Sequence, residues 1–399
     1  MTVLVPEAER TISLAQSLCA YDSVSGKEAA IASWIAETLD PIAEIRLQEV
    51  LKGRPNVIAR LETGRPGPAL LFNAHIDTLP IPAGYDGDPF RAELRDDRVW
   101  GAEINNMKGA LAAMMSAFAT LARHRDRLCG TVTLSAVMSE CDSLGLGTLA
   151  LLEDGLTADF CINGEPTDLQ IMTCHSGVTQ MRITATGVTV HVCRMSEGRN
   201  AFNELLPALA SLDVTCLTHT PHSDFQGLPT LNIGSVHGGS MASMLVDHAE
   251  ALIDVRTIPG MTPETVVADI RRRIGETRTA GGTEPDVQVE LLSRPQFCQQ
   301  YPYQVDPEHH VVKAVAQAHK ARFGQPTHVG PLYPQVFFGT DASHLARAGI
   351  PTVIYGPGKV EEINVANESM RVVDLTAAAD VYCATALELC GAKACSIPV

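Results

Sequence analysis

Apolar side chains recur at helical spacing over residues 7–20 and again over 27–39, and the Ser- and Gly-bearing stretch "YDSVSGK" between them marks a turn. Two short apolar runs follow, "PNVIARLE" and "PALLFNAHID", with the length and bulk of buried strands. The second stays apolar until it reaches His75 and Asp77, so its polar groups emerge at the carboxyl end, where open α/β sheets bind ligands. "MKGALAAMMSAFATLARH" predicts a helix, being rich in Ala, Leu and Met and free of Pro. "GTVTLSAVMSECDS" then reads as a strand leading into Glu140, Cys141 and Asp142, and "ADFCINGEPTD" as another leading into Glu165. Strands that alternate with helices predict a largely parallel sheet.

The rhythm changes between residues 178 and 291. The order there is strand "TQMRITATG", helix "NAFNELLPALASL", strands "PTLNIGSVHGG" and "HAEALIDVRTI", helix "PETVVADIRRRIGE" and strand "DVQVELLS". This β-α-β-β-α-β order is ferredoxin-like. It divides the chain into 1–177, an inserted 178–291, and 292–399, where the α/β pattern resumes with helix "EHHVVKAVAQAHKARFG", strand "IPTVIYG" and a closing helix from Leu375. At 399 residues, more than one domain is the ordinary expectation.

Charge and cysteine content narrow the function. The net charge of -16, without a basic stripe, argues against nucleic acid as a partner. No apolar run has the length of a membrane span, and "MTVLVPEAER" lacks the regions of a secretory signal, so a cytoplasmic protein is expected. The 11 cysteines have no paired short spacing and fit a reducing compartment. Cys383, Cys390 and Cys395 tempt a metal or redox reading, but their helical context makes them packing residues.

Chemistry concentrates in "VWGAEINNMKGA", where neutral Asn105 and Asn106 occupy a position that α/β enzymes often give to charged groups. Through "NAHIDTLP", "DPF", "MKGALAA", "SE" at 139–140, "GEPT", "GVTVH", "GRNAF", "IDVRTIP", "FGTDAS" and "GIPTVIYGPG", the sequence resembles the acetylornithine deacetylase, succinyl-diaminopimelate desuccinylase and carboxypeptidase G family of co-catalytic zinc amidohydrolases. The resemblance implies a zinc-exopeptidase-like α/β domain carrying a ferredoxin-like lid and dimerisation domain. It implies that His75 and Glu165 hold one zinc, that Cys141 and Asn364 stand where a carboxylate and a His hold the second, and that Asn106 replaces the bridging Asp. It gives Asp77 the task of orienting His75 and Glu140 that of proton transfer. His191 matches the lid histidine that reaches a dimer partner's oxyanion, and Arg256 the clamp for a substrate carboxylate. Gly339 and Thr340, with Asp341 beside them, match a pocket-lining loop, and Ser243 replaces a usual Asn.

The departures carry the expectation. Two dications held about 3.5–4 Å apart need a bridging anion, and an amide supplies none. The sequence therefore predicts no two-metal centre and no required cofactor, with a single zinc on His75 and Glu165, helped by Cys141, as the alternative. Asn106, Cys141 and Asn364 then become substrate-lining groups. Cys141 as a nucleophile is weakened by its place beside Glu140, since strand neighbours face opposite sides. Arg256 has a structural alternative, pairing with Asp254 or Asp247, and His175 is either substrate-facing or core. The expected protein is a homodimeric, amidohydrolase-like enzyme for a small carboxylate-bearing amino-acid derivative, with Glu140 transferring a proton in hydrolysis, elimination, isomerisation or condensation. A non-catalytic receptor is the rival from another class.

Overall fold

The computed structural model describes residues 4–391, so Cys395 lies outside the described residues. The chain forms two compact units. One comprises the chain up to Cys174 with Gln304–Gln335 and the stretch from Thr340 onward; the other comprises His175–Tyr303 with Val336–Gly339.

An eight-stranded sheet organises the first unit, in the spatial order Glu44–Leu51, Arg54–Glu62, Thr131–Val137, Ala69–His75, Phe160–Asn163, Thr352–Ile354, Ile171–Met172 and Val329–Gly330. Its central four strands run parallel. The hairpin at one flank is antiparallel, as is the Ile354–Met172 pairing towards the other. The strand Ala69–His75 is buried from Leu70 onward, which explains its unbroken apolar run. The helix Gly109–Arg123 is buried at every position from Gly109 to Leu121. A helix apolar all round belongs inside, and this one packs against Ala8–Cys19 and Val372–Cys390.

Because the central strands are parallel, their carboxyl ends lie on one edge of the sheet. His75 closes one strand, Glu140 follows Val137 by three residues, and Glu165 follows Asn163 by two. Gly356 is needed at this edge, since a Cβ there would lie 2.4 Å from the Glu165 backbone oxygen.

The second unit is built on an antiparallel sheet in the order Thr230–Gly238, His248–Thr257, Gly177–Thr186 and Val287–Leu291. With helices Phe202–Ala210 and Pro263–Gly275 this is the ferredoxin-like topology. The second helix starts at a Thr262/Thr265 capping box with Pro263 in its first turn, the local signal that fixes its start.

Candidate active site

The two amides of "EINNMK" separate at once. Asn105 is buried and acts as a bracket: its Nδ2 donates to Glu362 O at 3.3 Å and Ser369 O at 3.4 Å, and its Oδ1 accepts from the Lys359 amide at 3.3 Å. Asn106 is only half-buried, and its Oδ1 lies 3.3 Å from His75 Nε2. The first holds the fold; the second lies against the His75 ring.

His75 is fully enclosed, with Nδ1 2.8 Å from the Asp77 carbonyl oxygen. A carbonyl only accepts, so Nδ1 carries the proton. Nε2 lies against the Asn106 side-chain amide, a group that can receive a hydrogen bond from the imidazolium form. Burial opposes that charge, but Glu165, Glu140 and Asp77 overcome it and push the His75 pKa up to about 10.

Asp77 sets the neighbouring turn. Its Oδ1 accepts from the Glu140 amide at 2.9 Å, and its Oδ2 from the Cys141 amide at 2.9 Å and Ser25 Oγ at 2.8 Å. This corrects the strand-alternation argument. The strand ends at Val137, Ser139 turns the chain with a φ of 60°, and Glu140 and Cys141 sit beyond it in a turn. There they share a side, for ligand atoms of His75, Glu140 and Cys141 all lie within 4.8 Å of one another.

Glu140 and Glu165 are each 7 % exposed. Burial pushes Glu140 well above the carboxylate range, and Glu165 and Asp341 add to the shift. Burial likewise raises Glu165 to about 7 against the pull of His75. Both acids thus hold a proton more firmly than an exposed carboxyl does. Burial raises Cys141 well above an ordinary thiol, with Asp77 and Glu140 reinforcing it, so the thiol stays protonated. That favours the reading of Cys141 as a space-filling group over a nucleophile.

Asn364 has a left-handed φ of 51°; its amide donates to Glu368 Oε1 at 2.9 Å, while Glu368 Oε2 receives the Asn105 amide at 3.4 Å. Thr340 is buried and its Oγ1 accepts from the Ala342 amide at 3.2 Å, so it shapes a helix start.

The second unit carries the remaining sequence-selected residues. Arg256 Nε donates to Asp254 Oδ1 at 2.8 Å and Nη1 to the Phe337 carbonyl at 3.1 Å, the structural pairing raised as its alternative. His175 is fully buried, with its ring 5.0 Å from that of Tyr303, a core position. His191 is exposed, and its Nδ1 accepts from the Cys193 amide. Gly339 has a packing reason to be glycine, as a Cβ there would lie 1.9 Å from Gln300 Oε1.

Sequence reasoning missed Glu103, Lys108 and Glu368, all buried in the first unit. Burial lifts Glu103 to about 7 despite Lys108, and burial together with Glu103 lifts Glu368 to about 8. A charge inside the apolar run "VWGAEI" was the available signal.

A mixed α/β unit with acid, histidine and amide groups at its strand ends, together with a ferredoxin-like unit set within its chain, defines a hydrolase class. The model of peptidase family M20/M25/M40 matches residues 71–388, and the chain belongs to this family of enzymes. It is 27% identical over 331 residues to an acetylornithine deacetylase of Aliivibrio salmonicida, covering 82% of each chain. Its fold matches an M20 metallo-carboxypeptidase of Sulfolobus solfataricus at 18% identity and a TM-score of 0.76, covering 94% of this chain and 98% of the other. It also matches the YXEP protein of Bacillus subtilis, a dinuclear metal-binding peptidase, at 19% identity and a TM-score of 0.69, covering 96% and 98%.

A pair of metal ions does not fit the donors present. Position 106 offers an amide, position 364 another, and the His75 nitrogen nearest Cys141, Nδ1 at 4.0 Å, already donates to Asp77. The three-residue group of His75, Glu140 and Cys141 is the partial remainder. No helix among the described residues is long and apolar enough to cross a membrane.

Proposed function

We propose that this chain is an amidohydrolase-like enzyme that acts on a small, carboxylate-bearing amino-acid derivative by proton transfer through Glu140, without a two-metal centre. The observation that carries the reading is the donor set at the strand ends: neutral amides at positions 106 and 364, and a His75 ring whose Nδ1 donates to the Asp77 carbonyl beside Glu140. Among Glu165, Glu140 and Asp77 the protonated ring serves as a positive charge.

Glu140 accepts or returns a proton, Glu165 buffers it, and Asp77 holds the Glu140 turn through two backbone amides. Arg256 binds the substrate carboxylate in exchange for Asp254, and His191 acts on the oxyanion across a homodimer. Metal ions lower the pKa of bound water from 15.7 to about 7. Lacking that assistance, Glu140 is better matched to elimination, isomerisation or condensation than to hydrolysis of an unactivated amide.

Glu140→Gln, assayed on a panel of N-acyl amino acids, is expected to lower turnover by about 10²–10⁴-fold, the usual worth of a positioned acid or base. Unchanged function would favour a receptor. The 4.8 Å cluster of His75, Glu140 and Cys141 favours a second reading, an enzyme with one zinc. Elemental analysis of protein purified without chelators separates the two: stoichiometric zinc with chelator-sensitive turnover selects the single-ion enzyme.

A further inference from the structure

The strand-end edge of the first unit gathers more acidic groups than cationic partners. Asp77, Glu140, Glu165 and Asp341 act on one another there, and His75 is the positive group set among them; no Lys or Arg is among the principal charges acting on Glu140, Glu165 or Asp341. Asp77 spends its oxygens on Ser25 and two backbone amides, and Asp341 Oδ2 accepts from Asn73 Nδ2 at 3.2 Å. Glu165 Oε1 and Asp341 Oδ1 are both buried with no hydrogen-bond partner among the described residues, but Asp341 is fully enclosed, whereas Glu165 and Glu140 retain slight exposure. An unmet buried carboxylate oxygen costs free energy unless a donor arrives from outside.

The arrangement also discriminates between donors. A single ion binds donors that converge on one point, and Glu165 stands outside the 4.8 Å group of His75, Glu140 and Cys141. Acceptors spread more widely suit several N–H groups on one cation, each making a charge-assisted hydrogen bond. We propose that Glu165 and Glu140 receive a cationic nitrogen group of the substrate, an ammonium or a guanidinium, on the acidic floor beside His75. The inference rests on the metal-poor reading above and adds a substrate class to it: a carboxylate-bearing molecule with a cationic nitrogen group.

The test is calorimetric titration of the full-length, chelator-treated and dialysed protein with n-butylguanidinium, n-butylammonium and neutral n-butylurea, and separately with Zn²⁺ alone. At least one cation is expected to bind one-to-one and at least about tenfold more tightly than butylurea, a difference of about 1.4 kcal/mol. The better cation identifies the group. Glu165→Gln is expected to reduce the preference to below about threefold; if that variant does not fold, Glu140→Gln is read in the same way. Equal binding of cation and urea, or a preference that survives both substitutions, overturns the cation site and leaves the metal-poor reading standing. One-to-one uptake of Zn²⁺ that expels the butyl cation overturns both.

Discussion

Asp77 illustrates how one side chain can fix a reactive turn. Two carboxylate oxygens accept three donors, from Ser25, Glu140 and Cys141. In Asp77→Asn one acceptor becomes an NH₂, so at least one buried donor loses its partner. Such a loss costs about 1–3 kcal/mol, more where a charge was involved. Chemical denaturation should register it, and turnover should fall as Glu140 loses its anchor. An unchanged midpoint with full activity would mean that the turn holds itself. Asn106 tests the opposite direction. Restoring anionic or imidazole donors with Asn106→Asp, Cys141→Glu and Asn364→His together should create zinc binding, read by elemental analysis as a gain over wild type. No gain would show that these positions do not form a metal cradle.

Elements were legible where burial imposed a period. The Gly109–Arg123 helix and the Ala69–His75 strand are apolar because neighbours cover them, and the ferredoxin-like order followed from six well-punctuated segments. Glu44–Leu51 was invisible for the converse reason: an edge strand with no buried position has no alternation to read. Glu140 and Cys141 were misjudged because the period-two rule was carried past the end of the strand. Asn105 gave no local sign at all, since its partners lie more than 250 residues away. That bracket joins the 101–108 turn to the 359–369 segment, so Asn105→Ala should raise hydrogen exchange selectively in 359–369. It should also cost about 1–3 kcal/mol, because partner groups are left unmet. Uniform exchange across the protein would deny the bracket its role.

At the scale of the whole molecule, the buried acids give stability a pH dependence of definite sign. Burial raises Glu103 and Glu165 to about 7, Asp341 to about 6 and Glu368 to about 8, all above their values in an unfolded chain. His75 is raised to about 10 by its acidic neighbours against the effect of burial. In each case the folded state holds a proton that the unfolded state has released, so stability declines as pH rises. The carboxyls act from about pH 4.5 to 8, and His75 from about 6.5 to 10. Asp269, lowered by the Thr218 amide and Arg272 despite burial, works the other way only in acid. Melting temperature should therefore fall by several degrees between pH 6 and pH 9, measured by calorimetry at low protein concentration because the sequence pI is 5.2. Glu103→Gln removes one of these acids where its two oxygens have no hydrogen-bond partner among the described residues. It should leave the melting temperature nearly unchanged near pH 4.5 and raise it increasingly from there to about pH 7, with the gain kept at pH 9, flattening the profile. A wild-type curve that climbs over this range would mean that the buried acids are already compensated in solution by cations.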